Sequence, residues 1–493
     1  MIKNKICAFM SIFFVDFFYL YAQQITLNPI VINKDEMEAF NVIESRNSEY
    51  GYSKSVEEYL EFFSELDLRK RTGNGLQQDI SLRGSTFQDN KVNINGIDVS
   101  DPQTGHYSLE IPFTRYDIET IKIEPNSQTV NFYIKEPLGK GIFLEHMWGE
   151  HAFFNTLLAL NFPLLETKNR LSYEHRKSKG DRQDTDFYIR NLSFSSFWEK
   201  NNNKINFIFA TTQREFGADS FYSASFPQEE EHINQKLFII QTERVKENYS
   251  FKSHIFLRRH TDKFILKRDD PSFYTNYHTT YRYGYESKLS FKEVSFSFGI
   301  EKEKITSTNL GNHGRYKKDI SVRLKHTINP LSFTINIVQS YYDNFGWLNA
   351  TNITTTYTLK KNINLNFIFF RFWRSPSFTE LYYESPVNKG NDKLQIQKSK
   401  NYEVSIDYEI FEKINLKTGI FFRSQSNTID WIKENDFSIW EATNVGEVKA
   451  KGATALLNFK FKNNLIKKIL LNYTYLILDK KILIMHQNML LTM

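Results

Sequence analysis

YEVSIDYEI, residues 402–410, alternates apolar and polar side chains without interruption. One face of the stretch carries Tyr402, Val404, Ile406, Tyr408 and Ile410. The opposite face carries Glu403, Ser405, Asp407 and Glu409. Because successive side chains of a β-strand point to opposite faces, an alternation of period two predicts a strand. This strand would have one apolar face and one strongly polar face.

The same pattern recurs along most of the chain. It is repeated in VSFSFGI (residues 294–300), INLNFIFF (363–370), INLKTGIFF (414–422) and ILLNYTYLIL (469–478). From residue 128 onward we count about 16 to 18 such segments, each at least as long as the ~9–11 residues of a tilted membrane strand. Polar stretches interrupt the pattern and predict longer loops near Asp181 and at residues 227–234, 269–276, 309–315 and 385–392.

The composition favours a membrane barrel over a soluble β-sandwich. Of the 493 residues 44 are Phe and 27 are Tyr, yet the mean hydropathy is −0.49. Barrel strands combine these properties because lipid-facing and lumen-facing residues alternate between aromatic girdles. In lipid, only a closed sheet satisfies every strand edge. We therefore predict a mainly β fold, with a transmembrane antiparallel β-barrel over residues 128–493.

The N-terminus predicts export from the cytoplasm. Lys3 and Lys5 precede the largely apolar run CAFMSIFFVDFFYL (residues 7–20), and Ala22 supplies a small residue at the expected cleavage site. The run is shorter than the ~20 residues of a spanning helix, so residues 1–22 are predicted to be a cleaved signal peptide. Cys7, the only cysteine, lies in this segment, so neither disulfides nor cysteine metal sites are expected in the mature chain.

A small α+β domain is predicted at residues 40–127. Residues 55–66 have helical spacing, with Ser55 placed to cap the helix and Glu58 three residues further on. Residues 80–82 and 118–124 have the spacing of strands, and Asn95-Gly96 between two short strands is a strong hairpin signal. Before this domain, the tail at residues 23–39 contains ITLNPIVI, which suits either edge pairing with another protein or a linker.

Four stretches resemble the TonB-dependent outer-membrane receptors. The first, SLRGSTFQDNKVNINGIDVSDPQTGHYSLEIPF (residues 81–113), is similar to the plug that occludes the barrel in that family, particularly in its cobalamin-receptor branch. The second and third are RFWRSPSFTELYY with KSKNYEVSIDYE (371–383 and 398–409), and IDWIKENDFSIWEATNVGEVKAKG (429–452). FGADSFYSASFP (216–227) also resembles this branch, and all of these stretches occur in the family's order.

The resemblance implies specific roles for residues in the tail and the plug. The tail lies where the family keeps its TonB box, so the residues expected to contact TonB are Thr26, Leu27, Asn28, Pro29, Ile30, Val31 and Ile32. The residues expected to shape the plug are Arg83, Gly84, Asn95, Gly96, Asp101, Pro102 and Gly105. For Arg83 two roles stay open: a static ion pair, or a plug–barrel contact whose partner changes on energisation. Asp89, Asp98 and Asp101 are expected to form turns, with ligand binding as the alternative.

The resemblance also implies a function and partners. The chain would import a scarce small-molecule ligand, cobalamin or another corrinoid, with an iron chelate such as a siderophore complex as the alternative. Its partners would be TonB with the inner-membrane energising complex and the outer-membrane lipid, and a surface lipoprotein is left open. A surface adhesion protein, or a decayed receptor that no longer transports, is the rival from another class.

Two departures from the family pattern accompany the resemblance. The family continues its plug with a Gly-rich stretch where this chain has the shorter IKIEPNSQTVNFYIKEP (residues 121–137). Family barrels have roughly 22 strands, so about 16 to 18 strands predict a barrel that is incomplete at its C-terminus. Such a chain would have to close as a smaller barrel, exchange edges with a neighbour, or fail to assemble, and we expect it to assemble poorly on its own.

No enzyme class is supported by the sequence. HMWGEH (residues 146–151) has the wrong spacing for the zinc-protease motif it resembles, and the other histidines form no ligand set. The net charge of +6 is scattered, whereas a nucleic-acid binder would concentrate it on one patch. We therefore predict no catalytic, cofactor-binding or metal-binding residues and no nucleic-acid partner.

Overall fold

The computed structural model describes residues 42–44, 55–72, 75–222, 225–411, 413–433, 435, 438–461, 468–486 and 489–492, with backbone alone at 42–44, 468 and 481–492. The predicted signal peptide (1–22) and tail (23–39), including the expected TonB contacts Thr26 to Ile32, lie outside the described residues. Among the described residues, no helix has the length and apolar character needed to cross a membrane.

The N-terminal part forms a small domain, here called the plug. Its strands are β1 (Val42–Glu44), β2 (Leu66–Lys70), β3 (Gln78–Leu82), β4 (Lys91–Ile94), β5 (Ile97–Asp98), β6 (Ile118–Glu124) and β7 (Thr129–Ile134). Short 3-10 helices span Glu57–Phe62, Phe87–Asp89 and Gly105–Tyr107. One sheet has the order β1-β6-β7-β4-β5, and β2 pairs with β3.

The remaining chain forms a barrel. Its strands are β8 (Gly141–Trp148), β9 (Phe154–Leu164), β10 (Thr167–Ser178), β11 (Phe187–Lys200), β12 (Asn203–Gly217), β13 (Glu230–Val245), β14 (Ser250–Ile265), β15 (Thr275–Ser290), β16 (Val294–Ser307), β17 (Gly311–Ile328), β18 (Leu331–Tyr342), β19 (Gly346–Lys360), β20 (Ile363–Arg374), β22 (Gln397–Phe411), β23 (Ile414–Ser426), β26 (Gly446–Lys460), β27 (Lys468–His486) and β28 (Met489–Thr492). A loop sheet contains β21 (Asn388–Lys389), β24 (Ile429–Ile432) and β25 (Trp440–Asn444), and α1 spans Phe378–Tyr382.

The barrel strands form a closed ring in chain order, and from β8 to β28 each strand pairs antiparallel with the next strand of the ring. The short β28 pairs with the end of β27 and completes the ring beside β8. The prediction of an antiparallel barrel with about 16 to 18 strands is therefore confirmed. Of the three outcomes expected for a barrel with fewer strands than the receptors it resembles, the structure shows closure.

The side chains of the barrel alternate as the sequence predicts. In β22, Tyr402 is 38% exposed and Val404 40%, whereas Glu403 between them is 5% exposed. Phe296 and Phe298 in β16 are likewise exposed. The outward face is apolar because lipid covers it, and the inward face is polar because it meets the plug.

Connections differ in length at the two ends of the barrel. At one end neighbouring strands are joined by tight turns, such as residues 201–202 and 329–330. At the other end lie the longer loops 179–186, 218–229, 266–274, 375–396 and 427–445. Because outer-membrane barrels have short periplasmic turns and long external loops, the second end faces outward. The loop predicted at residues 309–315 is shorter than expected, since β17 already begins at Gly311.

The plug differs from the prediction at two places. β7 pairs with β4 and β6 in the plug sheet, so by sheet membership the barrel begins at Gly141 rather than at residue 128. The alternation of apolar and polar residues in β7 resembles that of a barrel strand. Only its pairing with β4 and β6 shows that β7 belongs to the plug. The predicted helix at 55–66 is a 3-10 helix over Glu57–Phe62 with Val56 as its N-cap, and β2 starts at Leu66 because it pairs with β3.

Candidate functional site

The candidate site is the contact between the plug and the inner wall of the barrel. The plug core is apolar and contains buried residues from β3, β4, β6 and β7. Around this core, polar side chains of the plug meet polar side chains of the barrel wall. An unpaired buried charge is strongly unfavourable, so buried charges are found in pairs. The ion pairs between the plug and the wall therefore show which residues hold the two parts together.

Asp98, at the end of β5, joins the plug to β15. One carboxylate oxygen, Oδ1, accepts hydrogen bonds from the backbone N–H of Ser100 (3.0 Å) and from Nη1 of Arg282 (2.8 Å). Burial opposes ionisation of Asp98, but Arg282 and then Lys91 hold its pKa below its usual value. The aspartate therefore forms the expected turn and also a tether to the barrel, which the sequence did not predict.

Asp101 has the same double role three residues later. Its Oδ1 accepts from the backbone N–H of Gln103 at 2.7 Å, and its Oδ2 pairs with Arg258 of β14. Although burial opposes ionisation, Arg258 and His260 hold the pKa of Asp101 below its usual value. The adjoining Pro102 continues this turn.

Asp89 ends the 3-10 helix Phe87–Asp89 and completes the pattern. Its Oδ2 accepts from the backbone N–H of Thr86 (3.0 Å) in a capping box. Its Oδ1 accepts from Arg374 of β20 (3.2 Å) and from Gln397 of β22 (2.5 Å). The three plug aspartates therefore share one arrangement. Each carboxylate accepts a hydrogen bond from a backbone N–H within its own turn and another from a side chain of the barrel wall.

Arg83 contributes a positive charge from the plug to the same interface. Its Nη2 lies 2.7 Å from Glu65 of the plug and 3.0 Å from Glu403 of β22. Its guanidinium also lies over the ring of Phe421 of β23, at 4.0 Å from the centroid. Burial alone would lower the pKa of Arg83, but Glu65 and Glu403 raise it above its usual value.

Arg214 of β12 lies between two plug carboxylates. It is 3.3 Å from Glu57 and 2.6 Å from Glu110, and it donates a further hydrogen bond of 2.7 Å to the carbonyl of Gly75. Burial raises the pKa of Glu110 to about 7, with Glu57 adding to the rise and Arg214 opposing it. One arginine here holds two plug segments that lie far apart in the sequence.

The loop 375–396 joins the outer side of the plug directly. The backbone N–H groups of Phe378 and Thr379 donate to the carbonyl oxygens of Pro102 and Gln103, each at 3.0 Å. The start of α1 is fixed by a capping box between Ser377 and Glu380. Because the first N–H groups of a helix have no partner within the helix, they are free to bind the plug turn.

A cavity of about 100 Å³ lies between the plug and strands β15 to β20. It is lined on the plug side by Asp89, Lys91, Asp98 and Asp101, and on the barrel side by Arg282, Arg315, Lys317 and Arg374. Ser375 and Ser377 of the loop 375–396 also line it. The volume suits a few water molecules, so this part of the interface is polar and loosely packed.

The remaining predicted plug residues shape turns. Gly84 follows Arg83 with φ +73°, and both lie in the left-handed region. Asn95 and Gly96, at φ +49° and +82°, form the hairpin turn between β4 and β5. Gly105 lies so close to Phe87 that a Cβ there would be 2.8 Å from its carbonyl oxygen. The structure thus brings all of these predicted plug residues except Gly96 to the plug–barrel interface, where Asn95 bonds to Gln241 of β13 and Gly84 lies against Leu478 of β27.

The barrel partners were missed by sequence reasoning. These partners lie at polar positions of strands with alternating sequence: Arg258, Arg282, Arg374 and Glu403. The alternation predicts that their side chains face the lumen, but it does not predict which plug residues they contact. In the described part of the chain, no cluster of three or more His, Cys, Asp or Glu side chains is arranged to hold a metal ion.

Comparisons with known proteins agree with this architecture. The sequence model of a family described as TonB dependent receptor-like, beta-barrel, matches residues 146–487. The siderophore receptor PirA from Pseudomonas aeruginosa has a similar structure, with a TM-score of 0.70 and 14% identity, covering 89% of this chain and 85% of its own. No curated protein matches the sequence.

Two further solved structures are similar. A variant of the ferric enterobactin receptor PfeA from Pseudomonas aeruginosa, in complex with enterobactin, has a TM-score of 0.72 and 12% identity, covering 88% of this chain and 80% of its own. The FrpB iron transporter from Neisseria meningitidis has a TM-score of 0.72 and 8% identity, covering 89% and 79%. At these identities the likeness shows the fold alone.

Proposed function

The chain belongs to the TonB-dependent receptor family of outer-membrane proteins in Gram-negative bacteria, and we propose that it imports an iron chelate with energy delivered by TonB. The observation that carries the proposal is a plug held inside a closed barrel by buried ion pairs. Such a lumen admits a ligand only when the plug rearranges, so a source of energy is required. The family consists of transport receptors rather than enzymes.

An iron–siderophore complex is the first candidate ligand. The support comes from the three similar structures, whose descriptions name siderophore, enterobactin or iron transport. Cobalamin is the second candidate, because the plug turn DPQTGH (residues 101–106) resembles the cobalamin-receptor branch. Both ligands are scarce chelates that exceed the size porins admit, so the proposed mechanism is the same for either.

The proposed energy coupling uses residues 26–32. In this proposal the segment pairs with a strand edge of TonB in the periplasm, because it is β-branched and apolar and lies ahead of the plug. Backbone hydrogen bonds supply the affinity in such pairing. A pull on this segment would then be transmitted to the plug and to the ion pairs that hold it.

The test measures binding and uptake separately in cells that lack other receptors for the probes. The probes are enterobactin loaded with radioactive iron and radiolabelled cyanocobalamin. Val31→Pro removes a backbone N–H that edge pairing needs, whereas the control Val31→Ala keeps it. We expect Val31→Pro to retain surface binding and lose uptake, and Val31→Ala to retain both.

Other outcomes decide between the alternatives. Uptake that continues unchanged in Val31→Pro would show that the tail is only a linker. A wild-type chain that binds a probe but never imports it would support a surface-binding protein or a decayed receptor. Import of cyanocobalamin but not of iron–enterobactin would replace the first candidate ligand with the second.

A further inference from the structure

Six of the interfacial arginines fall into two groups according to where their carboxylate partners lie. Arg282 of β15 pairs with Asp98 of the plug and also with Glu301 of the neighbouring barrel strand. Arg374 of β20 likewise pairs with Asp89 of the plug and at 2.7 Å with Glu380 of the barrel's own loop. If the plug leaves this wall, each arginine keeps a carboxylate partner.

Arg83, the plug arginine that contacts this wall, would also keep a carboxylate partner. Arg83 pairs with Glu403 of β22 and keeps Glu65 within the plug. Separation of the plug from strands β15 to β23 therefore leaves none of these three guanidinium groups without a carboxylate. We call the wall formed by β15 to β23 the releasable wall.

The adjoining wall, β10 to β14, is built differently, and we call it the anchoring wall. For three buried arginines of this wall, every carboxylate that pairs with them within 4 Å in the described part of the chain belongs to the plug. These pairs are Arg170 with Asp117, Arg214 with Glu57 and Glu110, and Arg258 with Asp101. Separation here would leave every one of these cations without its partner, which is strongly unfavourable.

Apolar packing between plug and barrel follows the same division. One apolar cluster joins the plug core to Ile208, Leu237 and Phe256 on strands β12 to β14. A second joins Leu76 and Tyr107 of the plug to residues of β11 to β13. Among the described residues, the other two apolar clusters contain no plug residue. Since apolar burial is the main attraction between packed surfaces, the plug is held most strongly on the anchoring wall.

The releasable wall instead borders the polar cavity. The 100 Å³ space described above separates the plug turns from β15 to β20, and nine of its twenty lining residues are charged. On its outer side, the loop 375–396 covers the cavity with Ser375 and Ser377 and binds the plug turn through two backbone hydrogen bonds. Among the described residues, no apolar cluster joins the plug to this wall, so widening this space mainly exchanges polar contacts for water.

From these three observations we propose that the transit path of the ligand lies between the plug and the releasable wall, while the plug stays docked on the anchoring wall. This inference rests on the proposed import function. The loop 375–396 closes the outer end of the path, and its release from Pro102 and Gln103 opens it. Guanidinium, ammonium and carboxylate groups line the path beside the rings of Tyr342, Phe372 and Trp373, so it suits a charged chelate rather than a wholly apolar ligand.

Two matched cross-links test the proposal in a Cys7→Ser background, which removes the only cysteine. Asn126→Cys with Asn401→Cys links the plug to β22, where the Asn401 amide donates to the Asn126 carbonyl. Asn95→Cys with Gln241→Cys links it to β13, where the two amides are 3.3 Å apart. Both pairs replace amides only, so no charged group is lost. A cleavable bifunctional thiol reagent forms each link.

The first readout needs neither ligand nor TonB. The purified receptor is placed in a planar lipid bilayer, and urea is added to loosen the plug while ion conductance is recorded. We expect the link to β22 to abolish the conductance and its cleavage to restore it, whereas the link to β13 leaves the conductance unchanged. Equal effects of the two links, or the reverse order, would overturn the proposal.

The second readout is uptake in cells of whichever probe the unlinked variants import. The β22 link should block import and the β13 link should permit it. Loss of import with both links would refute a path along the releasable wall. Failure of the unlinked variants and the wild type to import either probe would refute the proposed function instead, while the bilayer result still decides on which side the plug separates.

Discussion

Arg83 and Glu403 lie 320 residues apart in the sequence and are joined at 3.0 Å in the folded protein. The arginine stands in a left-handed turn of the plug, at φ +48°, and the glutamate on the inward face of a barrel strand. Because Glu65 shares the same guanidinium nitrogen, Arg83 has one partner in each domain. Such an arrangement stabilises the docked plug and leaves the arginine paired when the plug moves away from β22.

Removing this arginine is expected to loosen the plug. Arg83→Ala leaves Glu65 and Glu403 buried without their cation, and breaking a buried pair costs about 3–5 kcal/mol. Arg69→Ala is the control, because Arg69 and Asp67 form an exposed pair, worth less than about 1 kcal/mol. The measurement is the urea concentration at which trypsin begins to cleave the plug. Equal midpoints for the two variants would contradict the assigned role of Arg83.

The contact between the loop 375–396 and the plug is expected to depend on a backbone donor. Thr379→Pro removes the N–H that binds the carbonyl of Gln103, whereas Thr379→Ala retains it. Limited proteolysis of intact cells should therefore cut this loop faster in Thr379→Pro than in the wild type. Cleavage of Thr379→Ala should match the wild type, and equally fast cleavage of both variants would refute the backbone tether.

Plug stability is expected to fall as the pH rises from about 4.3 to about 7 because of Glu110. Its pKa of about 7 in the folded protein exceeds that of an unfolded glutamate, ~4.3. The folded state thus binds this proton more tightly, so the stabilisation is complete below about pH 4.3 and is lost as the pH rises through about 7. Glu110→Gln should reduce the pH dependence of the urea midpoint between about pH 4.3 and about pH 7. The exposed Glu199→Gln should leave the pH dependence intact, and an unchanged slope in Glu110→Gln would disprove the assignment.

Two plug glycines are expected to respond oppositely to asparagine. Gly96 has φ +82° and open space around its Cα, so Gly96→Ala should cost about 1–2 kcal/mol and Gly96→Asn less, because asparagine tolerates this backbone region. At Gly105 a Cβ would press on the backbone of Phe87 and Gln88, so Gly105→Asn should be worse than Gly105→Ala. The urea midpoints of the four variants measure which of alanine and asparagine is less destabilising at each position. If the same residue is less destabilising at both positions, either the backbone constraint at Gly96 or the steric constraint at Gly105 is wrongly assigned.

Local sequence patterns were enough to predict the barrel, its lipid-facing side and the hairpin at Asn95-Gly96. These features depend on neighbours along the chain, since lipid and lumen select alternate side chains of every strand and the turn needs residues that accept positive φ. The tertiary structure decided that β7 belongs to the plug, because only its pairing with β4 and β6 distinguishes it from a barrel strand. It also decided which carboxylate meets which arginine. Asp98 and Arg282 meet across 184 residues, and nothing local to either one encodes the register that brings them together.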